Sequence, residues 1–402
     1  MAQEILKDVF FIGYVDWEVR NFHGYTTGRG SSYNAYLVKS GTDFILIDTV
    51  KRPYFPYYLD KIKTVCDPKD IKYFIMNHIE PDHSGSFPLI LPHLPNAQII
   101  ASTKGVEILE EHYHQELPSE KFKEIRAVNE GDTLDAGNGK VFTFVPIPMI
   151  HWPDSMVSFM SDENGPNVLF SNDAFGQHFA TSKYWDDENG FSEIMWEAEK
   201  YYANILLHLS KLIAKTIPAV EALPIDIICP SHGVGWRKHI PDIVEAYKKW
   251  SSGKIDGNSV VIVYDSMWDS TAKIAKALTL EIEKRGIPVK RFNLTQSDYS
   301  DVITEVMKAR AVLVGSPTLN MGMYPSVAEY MCYQKGLKPM NKIGIAFGSY
   351  GWSKGAVREI VEQLEKTKIE VIDKIEVKFV PRPEDLDFKS VVDNLIAKME
   401  AN

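Results

Sequence analysis

Cysteine is scarce in this chain: Cys66, Cys229 and Cys332 are the only three in 402 residues. They are far apart and form no CxxC pair, which excludes a disulfide-stapled secreted fold and a cysteine-bound metal cluster. A reducing cytoplasm is therefore the expected compartment. Basic charge is also in deficit, with 44 Lys+Arg against 54 Asp+Glu and a formal net charge of −10. Nucleic-acid and membrane-surface binding both need basic patches, so neither is expected as a general role. Long apolar runs are missing too, none approaching the ~18 residues of a transmembrane helix. The opening "MAQEILKDVF" lacks the basic-then-apolar order of a secretory signal. No internal repeat or low-complexity segment occurs. What remains is 45% hydrophobic and 24% charged, the composition of a soluble globular protein. The length suits two domains of ordinary size.

The two halves differ in pattern. Up to about residue 250, short strand-like runs dominate: "VFFIGYV", "YNAYLV", "FILID", "YFIM", "QIIAS", "VFTFVPI", "MVSFM", "NVLFS" and "DIICP". Helical runs stand between some of them, at 103–115 and 191–216. Grouped strands with separate helices predict a sheet-rich α/β layer structure. The small, polar stretch "SSGKIDGNS" (251–259) reads as a linker. Strict alternation follows, with "VVIVYD", "VKRFNL", "AVLVGS", "KIGIAFG" and "EVIDKIEVKF" separated by helical runs. That is the signature of a doubly wound five-stranded parallel sheet, with ligands expected at the carboxyl ends of its strands. The expected domains are 1–252 and 258–402.

The densest chemistry lies in "NHIEPDHSG" (77–85), directly after "YFIM". His78, Glu80, Asp82 and His83 can all bind a metal. Taken alone, the segment reads equally well as a solvated turn around Pro81 and Gly85. Three later segments change the balance. His151 follows "VFTFVPIPMI", Asp173 ends the run in "NVLFSND", and His232 comes just past "DIICP". Strand ends that converge would gather these groups at one rim. Four histidines with three carboxylates suit non-haem iron, whereas zinc favours sites rich in nitrogen or thiolate.

In the second half, "YDSMWDSTAKIAKAL" carries hydroxyls at Ser266, Ser270 and Thr271 where a helix opens. A phosphate is favoured there by free N–H groups and the helix N-terminus. Neither a dinucleotide nor an NTP fingerprint is present, and hydroxyls in place of lysine suit a monophosphate without magnesium. Two more loops, "GSPTLNMGMYP" (315–325) and "FGSYGWSKGA" (347–356), follow the third and fourth strands.

The first half resembles the metallo-β-lactamase fold, an αββα sandwich whose zinc enzymes carry a His-x-His-x-Asp-His loop. Glu80 stands where those enzymes have histidine. With this change the chain resembles the flavodiiron proteins over essentially its full length. The resemblance implies one iron on His78, Glu80 and His151, a second on Asp82, His83 and His232, and Asp173 bridging. In some members the histidine matching His83 swings away from the metal. "NFHGYTTGRGSSYNAYLV" is also similar to the family, with His23 matching a histidine near the diiron pocket that binds no metal. Tyr201 in "KYYANIL" matches a tyrosine facing the substrate side.

The second half resembles a flavodoxin. It implies FMN, with the phosphate in Ser266, Met267, Trp268, Asp269, Ser270 and Thr271, where Asp269 replaces a common glycine. The flavin ring would lie between Pro317, Thr318, Leu319 and Asn320 on one side and Ser349, Tyr350, Gly351 and Trp352 on the other. The implied activity is reduction of O2 to water, of NO to N2O, or both. Two irons and one flavin together hold the four electrons that oxygen needs. With no C-terminal CxxC pair, a fused rubredoxin is not expected. A separate donor follows, rubredoxin or another small carrier, reduced deazaflavin included. Family members form a head-to-tail homodimer, or a dimer of dimers, that brings the flavin of one subunit to the iron of the other. The competing expectations are a zinc-dependent hydrolase fused to a flavodoxin-like module, and a flavin carrier without catalysis.

Overall fold

The computed structural model describes residues 1–401. It divides into two compact units, one made of Met1–Tyr201 with Lys211–Lys248, the other of Tyr202–Ser210 with the chain from Lys249 onward.

In the first unit, apolar runs such as "FILI" are buried on both faces, and the period of two sorts them. Phe44 and Leu46 join a cluster with Tyr58, Leu59 and Ile62 of the helix Phe55–Lys63. Ile45 and Ile47 point the other way, into a cluster with Phe142, Phe144 and Phe170. The first sheet is seven-stranded, in the order Gln3–Leu6, Val9–Phe11, Tyr36–Ser40, Asp43–Ile47, Ile71–Met76, Gln98–Ser102, Arg126–Val128. The second is five-stranded: Thr133–Gly137, Lys140–Pro146, Met156–Asp162, Val168–Asn172, Ile227–Pro230. Its reverse face, with Val157, Phe159, Leu169 and Ile228, is buried as well. Two sheets packed face to face and covered on their outer sides make the αββα sandwich.

Two local expectations are corrected. The run at 191–216 is not continuous. A helix Phe191–Tyr201 gives way to a π-turn at Tyr202–Leu206 and a 3-10 turn at Leu207–Leu209 before Ser210–Glu221. The turn belongs with the second unit, where Asn204 donates to the Ser300 carbonyl at 3.1 Å and accepts from the Tyr333 hydroxyl at 2.5 Å. His151 does not directly follow a strand either. The ladder ends at Pro146, Met149 turns left-handed with φ +65°, and a loop carries His151. Pro146 and Pro148 explain this, since proline has no N–H to continue the ladder.

The second unit is the doubly wound sheet. Its five parallel strands run Val289–Asn293, Val260–Tyr264, Ala311–Gly315, Ile343–Tyr350, Glu370–Lys378. This is the flavodoxin order, whose crevice opens at the carboxyl ends of the strands. Near its other end lies a buried amine. Lys342 donates to the carbonyls of Met307 (2.8 Å) and Ala309 (2.6 Å). Burial, with Arg310 second, lowers its pKa to about 7. Between that value and the ordinary lysine range near 10.4, the unfolded chain binds the proton more readily than the folded one. Stability from this site therefore rises with pH across that window and is flat below it. The stability of the parent relative to Lys342→Met is expected to climb by more than about 1 kcal/mol from neutral pH to pH 10. Urea titrations at each pH measure it, and a flat difference would show the amine to be charged throughout.

Candidate functional site

The metal-type residues come from three strand ends and one loop. Asn77, one step past Ile71–Met76, donates its N–H to Asp48 Oδ1 at 2.7 Å, which turns the chain so that His78 and Glu80 face inward. Pro81 then opens the short helix Pro81–Ser84, which carries Asp82 and His83. Asp173 directly follows Val168–Asn172, and His232 follows Ile227–Pro230.

All seven side chains meet in two adjoining groups: His78, Glu80, His151 and Asp173, then Asp82, His83 and His232. Asp173 Oδ2 lies 3.0 Å from His151 Nε2 and 3.4 Å from His78 Nε2. Its other oxygen, Oδ1, lies 3.2 Å from His83 Nε2 and 3.5 Å from His232 Nε2. Glu80 Oε2 is 3.3 Å from both His78 Nε2 and His151 Nε2. Asp82 Oδ2 is 3.2 Å from His83 Nε2 and 3.3 Å from His232 Nε2.

Only part of this proximity is hydrogen bonding: His151 Nε2 pairs with Asp173 Oδ2 and His78 Nε2 with Glu80 Oε2. Both Asp82 oxygens, both His83 nitrogens and Asp173 Oδ1 are buried without a hydrogen-bond partner in the protein. Orphaned polar atoms of this kind cost ~1–3 kcal/mol each, more when charged. They aim at shared points between the residues, which is what a cation-binding site requires. The charges agree. Burial would push Asp173 up, but the His83 charge and the hydrogen bond from His151 hold it well below the usual carboxylate range. Burial would lower His83 and His151, yet the surrounding carboxylates raise each to about 9. The donor set thus fits two cations, with one oxygen of Asp173 available to each.

Several supporting groups have no signal in the sequence. Asp154 Oδ2 lies 3.0 Å from His78 Nδ1 and accepts the Ile79 N–H at 2.7 Å. The Ser32 carbonyl is 2.6 Å from His232 Nδ1. Both contacts turn the other ring nitrogen, Nε2, into the site. Gly233 secures the second one: its N–H reaches Ser32 Oγ at 2.7 Å, its φ is +75°, and a Cβ there would strike Gln177. Asp154→Asn retains the shape but presents an amide to His78 or to the Ile79 N–H. Iron affinity is expected to fall ~10–100-fold, read by competition with a chelator; unchanged affinity would remove Asp154 from the site.

His23 Nε2 lies 2.9 Å from Glu80 Oε1, with a side chain 71% exposed. A cavity of about 560 Å³ opens there, lined by Phe22, His23, Lys51, Glu80, Asp82 and His112 among others. Tyr201 is buried behind the ligands, its ring 6.0 Å from His232 and 5.1 Å from His178. His178, buried with Nδ1 2.7 Å from Ser31 Oγ, packs 4.8 Å from the His232 ring. Burial and the His232 charge push it well below the usual imidazole range, so it packs as a neutral ring.

The three loops of the second unit also assemble. Asp269 adopts φ +58° before the helix Ser270–Glu283, the left-handed geometry that glycine usually takes. The Ala272 N–H points to Ser266 Oγ at 3.3 Å. Thr271 Oγ1 lies 2.9 Å from Ser349 Oγ, and the Thr318 N–H donates to the Ser349 carbonyl at 2.8 Å. Pro317 and Leu319 flank that strand end, where Asn320 and Met321 are left-handed and a Cβ on Gly355 would strike the Met321 carbonyl. Gly351 lies against the Phe379 ring. Trp268 and Trp352 stand 84% and 92% exposed, Met267 40%, and Tyr350 is half-buried. The hydroxyls and uncapped helix start suit a phosphate, and the flat, open side chains around them suit a ring.

A two-cation rim on a lactamase-type sandwich, joined to a flavin-type crevice, defines a metal- and flavin-dependent oxidoreductase. Comparison with known proteins agrees. The family described as ODP family beta lactamase matches residues 32–233, and the flavodoxin family matches 262–389. The nitric oxide reductase of Moorella thermoacetica is 42% identical over 388 residues, 95% of this chain and 94% of that protein. The rubredoxin oxygen:oxidoreductase of Desulfovibrio gigas superposes with a TM-score of 0.93 at 37% identity, over 100% of this chain and 99% of that one. The flavodiiron protein of Giardia intestinalis gives 0.92 at 34% identity, over 100% and 98%. The chain belongs to the flavodiiron proteins, oxidoreductases with FMN and a diiron centre. The hydrolase alternative is set aside, since hydrolysis has no use for a flavin crevice. Among the described residues no helix is long and apolar enough to cross a membrane.

Proposed function

We propose that this protein reduces dioxygen to water, nitric oxide to N2O, or both, with iron held by His78, Glu80 and His151 and by Asp82, His83 and His232, and Asp173 shared. Residues 1–252 would form the diiron domain and 258–402 the FMN domain. The observation that carries the reading is the division of Asp173, one oxygen toward each ligand group. Bound there, an iron pair would supply the one-electron redox chemistry that reduction of a small gas requires.

The chain's own residues set the conditions around it. Glu80, Asp82 and Asp173 bring negative charge into a buried site and offset the charge of oxidised metal. His23 Nε2, against Glu80 Oε1 at the cavity, can hold a proton where the gas enters. Burial, followed by the Asp173 charge, pushes the Tyr201 phenol well above its ordinary range, so its hydroxyl remains a proton donor. In the second unit, Ser266, Ser270 and Thr271 would bind the FMN phosphate.

Electrons would come from rubredoxin or another small carrier, and a head-to-tail homodimer would bring flavin to iron. The test is anaerobic assay of the reduced protein against each gas with rubredoxin as donor, beside metal and flavin analysis. Two irons and one FMN per chain with gas consumption are expected. Two zincs and no consumption would overturn the reading.

A further inference from the structure

Four tyrosines form a line through the first unit. Tyr33 is fully buried, its ring 5.9 Å from the His232 imidazole. Tyr54 follows at 5.7 Å, and Tyr14 lies flat on Tyr54 at 3.8 Å with 9° between the planes. Tyr57, 58% exposed, is 5.4 Å from Tyr14. Nothing in the proposed reduction uses this line. Phenols are nevertheless among the side chains most readily oxidised by one electron, and ring-to-ring contact is what lets the deficit move.

A tyrosine gives up an electron at moderate potential only if a base takes its proton, because the phenol radical cation is a strong acid. Asp16 is such a base. Its Oδ2 accepts the Tyr54 hydroxyl at 2.6 Å and the Tyr33 hydroxyl at 3.4 Å. Its Oδ1 is held by the N–H groups of Glu18 (3.1 Å) and Val19 (3.0 Å). Lys51 Nζ, by contrast, donates to the Tyr33 oxygen at 2.7 Å and lies 4.5 Å over its ring. The cation makes Tyr33 harder to oxidise, and the short carboxylate contact makes Tyr54 easier. An electron deficit on Tyr33 therefore runs outward to Tyr54.

We propose that Tyr33, Tyr54, Tyr14 and Tyr57 conduct oxidising equivalents from the metal centre to the surface, sparing the site when oxygen arrives before all its electrons. This rests on the oxygen-reductase reading above. One electron passes from Tyr54 through Tyr33 to the site, and the Tyr54 phenolic proton passes to Asp16. The neutral phenoxyl radical, stacked on Tyr14, which in turn touches the exposed Tyr57, is reduced at the surface by one electron from a small thiolate. Asp16 returns its proton, the phenol is restored, and a thiyl radical leaves.

The test mixes iron- and FMN-loaded protein, holding fewer reducing equivalents than oxygen needs, with oxygen, and reads the frozen sample by electron paramagnetic resonance. The parent is expected to show a tyrosyl radical. Tyr54→Phe loses it, and so does Asp16→Asn, which retains every ring. Both variants are expected to accumulate oxidised side chains around the cavity several-fold faster, while oxygen uptake with saturating donor starts at the parent's rate. Thermal unfolding verifies that each variant folds. Equal radical yield and damage in parent and variants, or no radical in a parent that consumes oxygen, overturns the proposal and leaves the line as packing. A parent that consumes no oxygen fails the reductase reading instead. The line is then judged with hexachloroiridate(IV), a one-electron oxidant: a radical in the parent but not in Asp16→Asn supports it, and equal yields overturn it.

Discussion

Asp173→Ala is expected to purify with its flavin, without its metal pair, and to consume neither oxygen nor nitric oxide. The size of the effect follows from position. Among the described residues Asp173 is the one side chain whose two oxygens face different ligand groups, so its removal takes a donor from both. Loss of a supporting residue costs ~10–100-fold in metal affinity, and loss of a shared ligand exceeds that. Asp173→Asn separates charge from shape, because it retains the volume but presents a neutral amide. If charge holds the pair, the asparagine variant loses iron as the alanine variant does. Iron content, flavin absorbance and turnover are read on one preparation. Full iron and full turnover in Asp173→Ala would end the shared-ligand assignment. A second reading comes from stability: chelation lowers the melting temperature of the parent, because bound metal stabilises the folded state, and leaves that of the variant unmoved.

The second large effect lies in the other unit. Replacing Ser270 and Thr271 together by alanine is expected to release FMN and leave the iron in place. Hydrogen bonds to a charged group contribute about 1.5–3 kcal/mol each. Loss of both would weaken flavin binding by about a hundredfold or more. Thr271 also lies 2.9 Å from Ser349 Oγ, so its loss loosens the loop expected to cover the ring. Flavin titration of the apoprotein measures the effect, with iron content as internal control. Equal flavin affinity in parent and variant would place the phosphate elsewhere.

Much of this architecture was legible because burial on both faces leaves a plain trace. "YFIM", "VLFS" and "IICP" are apolar without alternation, and each is followed, one residue on, by a side chain that can bind metal: His78, Asp173 and His232. The flavodoxin-type half was legible for the same reason, with loops falling at the carboxyl ends of strands. His151 was legible as a ligand candidate but not in its setting, since the two prolines end the ladder early. The π-turn at Tyr202–Leu206 left no trace, because its departure from the helix is held by partners about a hundred residues away. Asp154 and the Ser32 carbonyl were likewise invisible: one is an ordinary loop carboxylate and the other is backbone. Tyr14, Tyr33 and Tyr54 show no periodicity that would mark them as a stack.

The sequence by itself determined which residue types stand at which strand ends, and so the chemistry available: imidazole, carboxylate, and hydroxyl at a helix start. Residue type and hydrophobic period are local properties, readable over a few positions. Tertiary structure alone decided that Asp173 faces two ligand groups at once, that Asp154 and Ser32 orient the imidazoles, and that four phenols align beside Asp16. Each of these is a distance between residues remote in the chain, set by the packing of whole sheets.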